Sequence, residues 1–190
     1  MRCPPVIHDN AKALREHFET TQLISMKRPE RTKSFPLKKT TVLLAEDNVP
    51  FRKSLKLLIE TEGDIQVIDE AKDGLEALHL ARAHQPDVVV MDIAMPLLNG
   101  LRATERIHKA CPGIRVLMLS AHPEPEYIHQ AMNFGASGYL IKQSSTDFLV
   151  RAIREVLNGR TYFSTTIPKE LRDEARIVFE KHEASKRKAA

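Results

Sequence analysis

The chain has no tryptophan, two cysteines among its 190 residues and an aromatic share of 5%. No apolar run approaches the roughly 18 residues that a membrane-spanning helix needs, and the N-terminus lacks the apolar stretch of a secretory signal. Cys3 and Cys111 are far apart in the sequence and have no Cys or His neighbour in metal-ligand spacing, so neither a disulfide framework nor a zinc site is indicated. These absences predict a protein of the reducing cytoplasm that does not enter the membrane.

Charge is unevenly distributed along the chain, whose formal net charge is +4. Residues 1–40 carry nine Lys/Arg and four Asp/Glu, residues 41–158 carry twelve and sixteen, and residues 159–190 carry eight and five. An acidic body therefore lies between two basic flanks. Such flanks can bind nucleic acid or anionic lipid, although basic flanks are more often simply solvated.

The composition changes along the chain and divides it into three parts. Residues 9–24 carry a thin apolar stripe that is compatible with one helix, and the charged, proline-broken segment after them predicts a linker. We therefore predict a flexible basic N-terminal tail over residues 1–39, a folded domain over residues 40–164, and a C-terminal linker or helix remnant over residues 165–190. The two flanks are expected to be dispensable for the chemistry of the domain.

Short apolar runs alternate with helical patterns through the central domain. Strands are predicted at residues 41–45, 65–71, 88–91, 115–119 and 137–141, each followed by a helix. Five βα units with nearly continuous apolar strands predict an α/β fold with a five-stranded parallel sheet covered on both faces. Right-handed crossovers favour the doubly wound order 2-1-3-4-5, which places strands one and three side by side.

Charged residues follow three of these apolar runs. Glu46 and Asp47 end the first, Asp92 ends the third and Lys142 ends the fifth. The carboxyl ends of parallel strands share one edge, and ligands bind in the crevice outside it. Three carboxylates and one lysine at that edge predict a small charged pocket for a divalent cation and a phosphoryl group. The alternative is a set of strand-end turn residues and a solvated acidic loop that caps the next helix.

Four motifs, in order and at the appropriate spacing, resemble the receiver domain of bacterial two-component response regulators, a doubly wound flavodoxin/CheY-like fold. The match runs from about residue 41 to residue 164. Lys142 is followed by Gln-Ser-Ser rather than by proline, and this feature and residues 158–164 are similar to the NarL/FixJ group of response regulators. The four motifs are Leu44-Ala45-Glu46-Asp47-Asn48, Met91-Asp92-Ile93-Ala94-Met95-Pro96-Leu97-Leu98-Asn99-Gly100, Leu119-Ser120-Ala121 and Gly138-Tyr139-Leu140-Ile141-Lys142.

The resemblance implies a phosphoacceptor rather than an enzyme that acts on a separate substrate. Asp92 would accept a phosphoryl group from a sensor histidine kinase, because a carboxylate can form an aspartyl phosphate. The domain would promote its own phosphorylation and dephosphorylation with Mg²⁺. By the same resemblance, Glu46, Asp47, Asp92 and the backbone carbonyl of Ala94 would hold that ion, in keeping with the preference of Mg²⁺ for oxygen ligands.

The remaining site residues also take their roles from the resemblance. Lys142 would supply a compact cation for the phosphoryl group. Ser120 would donate its hydroxyl to a phosphoryl oxygen, and the small side chain of Ala121 would leave room for it. Ser120 and Tyr139 would form the switch pair, in which Tyr139 changes rotamer as Ser120 moves. A half-buried strand tyrosine is the alternative for Tyr139.

The residues after Ser164 bear on the output of the domain. The NarL/FixJ group usually carries a C-terminal helix-turn-helix domain, whereas the 26 residues after Ser164 are too few for one. We therefore expect no sequence-specific DNA binding, and instead a homodimer or a partner contact through the fourth helix, fifth strand and fifth helix. The main alternative is the receiver portion of a truncated DNA-binding transcriptional regulator. A flavin- or nucleotide-binding protein is disfavoured, because the first βα turn, residues 46–50, has acids and no glycine to admit phosphates.

Overall fold

The computed structural model describes residues 39–189, with side chains described outside 144–147 and 186–189. The helix expected within residues 9–24 lies outside the described residues, and so does the predicted tail over residues 1–39 except for Lys39. Strands and helices alternate throughout the described part. In chain order they are β1 Thr40–Ala45, α1 Val49–Thr61, β2 Ile65–Ala71, α2 Gly74–His84, β3 Val88–Asp92, α3 Gly100–Ala110, β4 Arg115–Ser120, α4 Pro125–Asn133, β5 Gly138–Ile141, a 3₁₀ turn Lys142–Ser144, α5 Ser145–Leu157, β6 Tyr162–Phe163 and α6 Lys169–Ala189.

Within the described residues the strands form a single sheet in the order β2-β1-β3-β4-β5-β6, and every neighbouring pair is parallel. The doubly wound fold and the order 2-1-3-4-5 are thereby confirmed. The sheet has six strands rather than the predicted five, because β6 pairs with β5 through Gly138 and Tyr139. A strand of two residues is too short to produce an alternating or continuous apolar pattern, so the sequence did not predict it.

Helices cover both faces of the sheet, so its central strands are apolar on both sides. All five residues of β3 are buried. Val42 and Leu44 of β1 belong to one core, while Leu43 and Ala45 belong to the other. This alternation follows from the two-residue period of a strand. It explains why β1 and β3 read as continuous apolar runs that stop at the edge where the carboxylates begin.

Helix caps fix the loops at that edge. The side chain of Asn48 accepts a hydrogen bond from the Phe51 backbone N–H at 3.0 Å, and Asn99 accepts one from the Arg102 N–H at 2.9 Å. A side-chain oxygen at the N-cap satisfies one of the N–H groups that the first helical turn leaves without a partner. The loops after β1 and β3 are thus anchored directly beside the predicted pocket.

The C-terminal helix α6 packs against α4. Its residues Leu171, Ala175 and Phe179 are buried in the same apolar core as β4 and β5. Glu183 of α6 forms an ion pair with Arg115 at 2.7 Å. The boundary at residue 164 stays a prediction, but these contacts argue against removing residues 165–190 without cost to stability. No helix in residues 39–189 is both long and apolar enough to cross a bilayer.

Replacing Phe179 with alanine tests whether α6 is part of the folded unit. Phe179 is 7% exposed, and truncation of a buried phenylalanine typically costs about 3 kcal/mol or more. We expect a loss of that size in the free energy of unfolding, measured by urea denaturation. Ile177→Ala is the matched control, because Ile177 lies on the same helix and is 53% exposed; its cost should be about 0.5 kcal/mol or less. If both variants lost only a small and equal amount of unfolding free energy, α6 would not be docked on the domain.

Candidate functional site

Strand register brings the predicted residues to one edge of the sheet. Ala45 pairs with Met91, so Glu46 lies beside Asp92. Asp92 pairs with Leu119, so Ser120 lies one residue further along the neighbouring strand. Ser120 in turn pairs with Ile141, and Lys142 follows immediately. The parallel order alone therefore assembles an acid, an acceptor candidate, a hydroxyl and a cation on adjacent strands.

Three carboxylates converge at this edge. One ligand oxygen each from Glu46, Asp47 and Asp92 lies within 4.8 Å of the others. Glu46 is 0% exposed and Asp92 is 2% exposed, whereas Asp47 is exposed to solvent. The group thus has two buried carboxylates and one that faces the entrance.

The ammonium of Lys142 lies between the two buried carboxylates. Its Nζ is 2.9 Å from Asp92 Oδ1 and 2.8 Å from Glu46 Oε2, and it donates a hydrogen bond to Glu46 Oε1 at 3.1 Å. Burial, the largest single influence, lowers the pKa of Lys142, but its hydrogen bonds and charge contacts with Glu46 and Asp92 outweigh burial and raise that pKa. Lys142 therefore stays a cation near neutral pH and offsets part of the negative charge of the site.

Glu46 is held in place from several directions. Its Oε1 accepts a hydrogen bond from the Asn48 backbone N–H at 3.3 Å, and its backbone carbonyl accepts one from Arg52 Nη1. Arg52 is itself held by an ion pair with Glu70 at 2.9 Å. Burial raises the pKa of Glu46, Lys142 opposes that rise and the nearby Asp92 adds to it. The sequence did not single out Arg52, because an arginine in the first turns of a helix is an ordinary surface residue.

The donor set fits a hard divalent cation. All three side chains offer carboxylate oxygens, which Mg²⁺ prefers. Glu46 Oε2 is buried and, among the described residues, accepts no hydrogen bond although the Lys142 ammonium is close. The backbone carbonyl of Ile93 is taken by the N–H groups of Met95 and Gly100, whereas Ala94 is exposed beside it. The chemistry of the site is thus compatible with the predicted set Glu46, Asp47, Asp92 and the Ala94 carbonyl.

Ser120 and Tyr139 are linked through His122. Ser120 is 0% exposed, and its Oγ accepts a hydrogen bond from the His122 backbone N–H at 2.9 Å. The Tyr139 hydroxyl donates to the His122 carbonyl oxygen at 2.7 Å. Tyr139 is fully buried rather than half-buried, and Ala121 next to Ser120 is exposed. A displacement of Ser120 would therefore reach Tyr139 through one peptide segment, which is compatible with a switch pair.

Gly100 allows α3 to begin directly behind the acceptor candidate. A Cβ atom at Gly100 would lie 1.8 Å from the Asp92 backbone carbonyl oxygen, so no other residue fits without moving Asp92. The Gly100 N–H donates to the Ile93 carbonyl at 3.0 Å. The Asn-Gly pair that ends the second motif thus has two roles, since Asn99 caps the helix and Gly100 admits its close approach.

The buried phenol of Tyr139 makes a pH dependence predictable. Burial raises its pKa from the ordinary value of 10.0 to about 12. A raised pKa favours folding below the unfolded value, so this contribution is present below about pH 10 and is lost as the pH rises toward 12. Tyr139→Phe should be less stable than the parent at pH 7, by about 1 kcal/mol for the lost hydrogen bond, yet lose less stability between pH 10 and pH 12.

Urea denaturation at a series of alkaline pH values measures this effect. Tyr162→Phe is the comparison. Burial also raises the pKa of Tyr162, but this residue is only half-buried, so its substitution should change the alkaline dependence less than Tyr139→Phe does. Parallel stability curves for the parent chain and Tyr139→Phe across the alkaline range would show that the phenol of Tyr139 ionises freely and is not enclosed.

Comparisons with known proteins agree with this geometry. Residues 42–154 match the family described as the response regulator receiver domain. The transcriptional regulatory protein DegU of Brevibacillus brevis is 32% identical over 145 residues, which cover 76% of this chain and 61% of that protein. A LuxR-family two-component response regulator from Aurantimonas sp. SI85-9A1 has a crystal structure that covers 72% of this chain and 97% of its own, with a TM-score of 0.68 and 34% identity.

A third similarity is to a chain in the CheX–CheY–BeF₃–Mg²⁺ complex from Borrelia burgdorferi. It covers 61% of this chain and 87% of that one, with a TM-score of 0.57 and 28% identity. The chain spans about three fifths of the length of the DegU, NreC and NarL relatives that it matches. The similarity to those relatives thus concerns only part of their length.

Proposed function

Because the chain belongs to the response regulator receiver domain family, we propose that it accepts a phosphoryl group on Asp92 from a sensor histidine kinase, with Mg²⁺ as the required ion. The observation that carries this proposal is the convergence of Glu46, Asp47 and Asp92 on one point, with the Lys142 ammonium between the two buried acids. A structural ion pair would need one acid and one base. Three acids around a single lysine leave negative charge for a further cation to neutralise.

Asp92 supplies the nucleophile. One of its carboxylate oxygens attacks phosphorus, the bond from phosphorus to the donor nitrogen or oxygen breaks, and the donor leaves with that electron pair. Because Lys142 Nζ is already 2.9 Å from Asp92 Oδ1, it can contact an oxygen of the transferred group without a large movement. Ser120 lies on the adjacent strand and can donate its hydroxyl to a second oxygen. The small, exposed Ala121 leaves the entrance open for the donor and later for the water that hydrolyses the acyl phosphate.

Glu46, Asp47, Asp92 and the carbonyl oxygen of Ala94 would hold Mg²⁺. When bound, the ion would neutralise charge that develops on the phosphoryl oxygens during transfer. The similar Borrelia burgdorferi chain comes from a complex that contains Mg²⁺ and BeF₃, which supports the same ion here. Two of the four ligands are buried and fixed by hydrogen bonds, so the site is largely pre-formed.

Asp47→Ala tests the metal site separately from the phosphoryl chemistry. Asp47 is exposed and its side chain contributes no hydrogen bond to the fold among the described residues, so the variant should fold. We expect Mg²⁺ binding at least about tenfold weaker by isothermal titration calorimetry, since even the loss of a residue that only supports a metal ligand commonly costs about 10- to 100-fold in affinity. Glu126→Ala, which removes an exposed acid from α4, is the control. Unchanged Mg²⁺ affinity in Asp47→Ala would remove Asp47 from the ligand set.

The signal would leave through the surface formed by α4, β5 and α5, as a homodimer or a partner contact. Two parts of the same chain occupy that side of the molecule: β6 covers the edge of β5, and α6 packs on α4. Ser164, which follows β6, donates its backbone N–H to the Tyr139 carbonyl at 3.1 Å. A change at Tyr139 would therefore reach β6 and α6 first, and any dimer through this surface must include α6 or displace it.

The names of the relatives favour a second candidate, the receiver portion of a DNA-binding transcriptional regulator. DegU, for example, is named as a transcriptional regulatory protein, and this chain covers 61% of it. Two measurements with and without phosphorylation separate them: a protected specific site in DNA footprinting supports the regulator, and a change in self-association by analytical ultracentrifugation without any such site supports signalling through protein contacts. A cytoplasmic location belongs to the proposal in either form.

A further inference from the structure

An arginine-lined groove runs along the edge of the sheet at β6, between α5 and α6. Its volume is about 270 Å³, and three arginines line it: Arg151 from α5, and Arg172 and Arg176 from α6. Thr161 and Thr165 add hydroxyl groups to the same wall. Because β6 is three strands from β3, the groove is displaced from Asp92 by about 14 Å across the sheet. It is therefore separate from the carboxylate site.

Among the described side chains, acids neutralise the arginines of the groove only in part. Within the described side chains Arg151 makes no ion pair, and the buried Nε of Arg172 donates to no acceptor. Arg176 is 3.0 Å from the exposed carboxylate of Asp173. Glu155, the single acid that lines the groove, forms its ion pair with Arg160 and interacts with Arg151 only through a weaker charge contact. A buried cationic N–H without an acceptor is unfavourable, so the groove is suited to an anion supplied from outside.

We propose that this groove binds a small phosphate-bearing ligand. A tetrahedral phosphate offers oxygens in several directions and can accept paired hydrogen bonds from more than one guanidinium, whereas a planar carboxylate is matched by one. The threonine hydroxyls can donate to the remaining oxygens. A cavity of about 270 Å³ suits a compact group rather than a length of peptide or polynucleotide. Phe148 and Tyr162 also line it, and their rings provide an apolar wall for the organic part of a phosphomonoester.

Such a ligand would link α5 to α6, two helices that the chain connects only through β6 and short loops. Arg151 belongs to α5, while Arg172 and Arg176 belong to the first two turns of α6. An anion bound by all three therefore stabilises α6 in its docked position, and anything that binds the folded state alone raises the unfolding temperature. The level of a small phosphorylated molecule would in this way affect the side of the domain from which we expect the signal to leave.

Titration calorimetry and thermal unfolding of the whole chain in Mg²⁺-free buffer test this site. The probes are inorganic phosphate, glycerol phosphate, citrate and a tetraglutamate peptide. Both phosphate probes should bind and raise the unfolding temperature, and Arg151→Gln and Arg172→Gln should each weaken binding about tenfold. Arg106→Gln, which removes an exposed arginine from α3, is the control and should bind like the parent. Tighter binding of glycerol phosphate points to an organic phosphate, and tighter binding of inorganic phosphate to the free ion.

Amide chemical shifts locate the bound anion independently of the variants. Phosphate should shift the signals of Thr161, Thr165 and Arg172, and it should do so also when Asp92 is replaced with asparagine. Three results would overturn the proposal: no phosphate binding, unchanged affinity in both groove variants, or equal or tighter binding of citrate or tetraglutamate. Shifts confined to residues around Lys142 would place the anion in the carboxylate site and would equally overturn it. None of these results bears on phosphorylation of Asp92.

Discussion

Asp92→Asn should reduce phosphorylation of the chain by acetyl phosphate and Mg²⁺ to background. An amide is a poor nucleophile at phosphorus, so the variant has no acceptor at position 92. Glu46 is the other buried carboxylate in contact with Lys142, and we assign it to the metal rather than to the phosphoryl group. Asparagine has nearly the same shape as aspartate, and Lys142 keeps its contacts with Glu46, so the fold should persist. Incorporation of radiolabelled phosphate, read after denaturing electrophoresis, measures the effect directly.

The control for this experiment is Asp69→Asn. Asp69 lies on β2 at the far edge of the same sheet and contacts His84 at 3.3 Å, outside the carboxylate site. It should take up label at the parental rate. If Asp92→Asn incorporates as much label as Asp69→Asn, the acceptor is a different residue.

Lys142→Gln should separate phosphoryl transfer from metal binding. The ammonium is the one described cation within 3 Å of both Glu46 and Asp92, so its loss removes a fixed charge from the place where phosphoryl oxygens would sit. Loss of one such electrostatic contact commonly slows a reaction by about 100-fold or more. The same substitution removes the positive charge that partly neutralises the three carboxylates. Mg²⁺ should therefore bind more tightly than in the parent.

Phosphorylation rate and Mg²⁺ affinity are therefore expected to change in opposite directions. Lys53→Gln, on an exposed position of α1, is the control and should change neither quantity. A parallel fall in rate and in Mg²⁺ affinity would show that Lys142 mainly maintains the shape of the site. Equal rates in Lys142→Gln and Lys53→Gln would show that Lys142 does not contact the transferred group.

The sequence was most informative where strands end. Apolar runs locate the strand ends, and parallel pairing places those ends together, which is why Glu46, Asp92 and Lys142 could be predicted as neighbours; Ser120 was added only by the resemblance to receiver domains. Register confirms that placement. The predicted receiver domain and its relation to the NarL group are likewise confirmed. The roles of the individual residues stay predictions.

The features that the sequence did not predict depend on long-range packing. A two-residue strand such as β6 has no periodic pattern of its own, and it forms because the edge of β5 is available. The apolar residues Leu171, Ala175 and Phe179 do recur at helical spacing, but the pattern does not tell which surface they cover. The contact of Arg52 with the Glu46 carbonyl and the complete burial of Tyr139 also require the assembled sheet.

The most direct test of the central claim is to locate the phosphoryl group on the chain. After reaction with acetyl phosphate and Mg²⁺, borohydride reduction converts an aspartyl phosphate to homoserine, and mass spectrometry of the peptides identifies the altered position. Phosphorylation of Asp92 predicts homoserine at position 92 alone, with none formed when Mg²⁺ is removed by chelation. Conversion at a different aspartate, or a stable phosphate on serine, threonine or histidine, would contradict it.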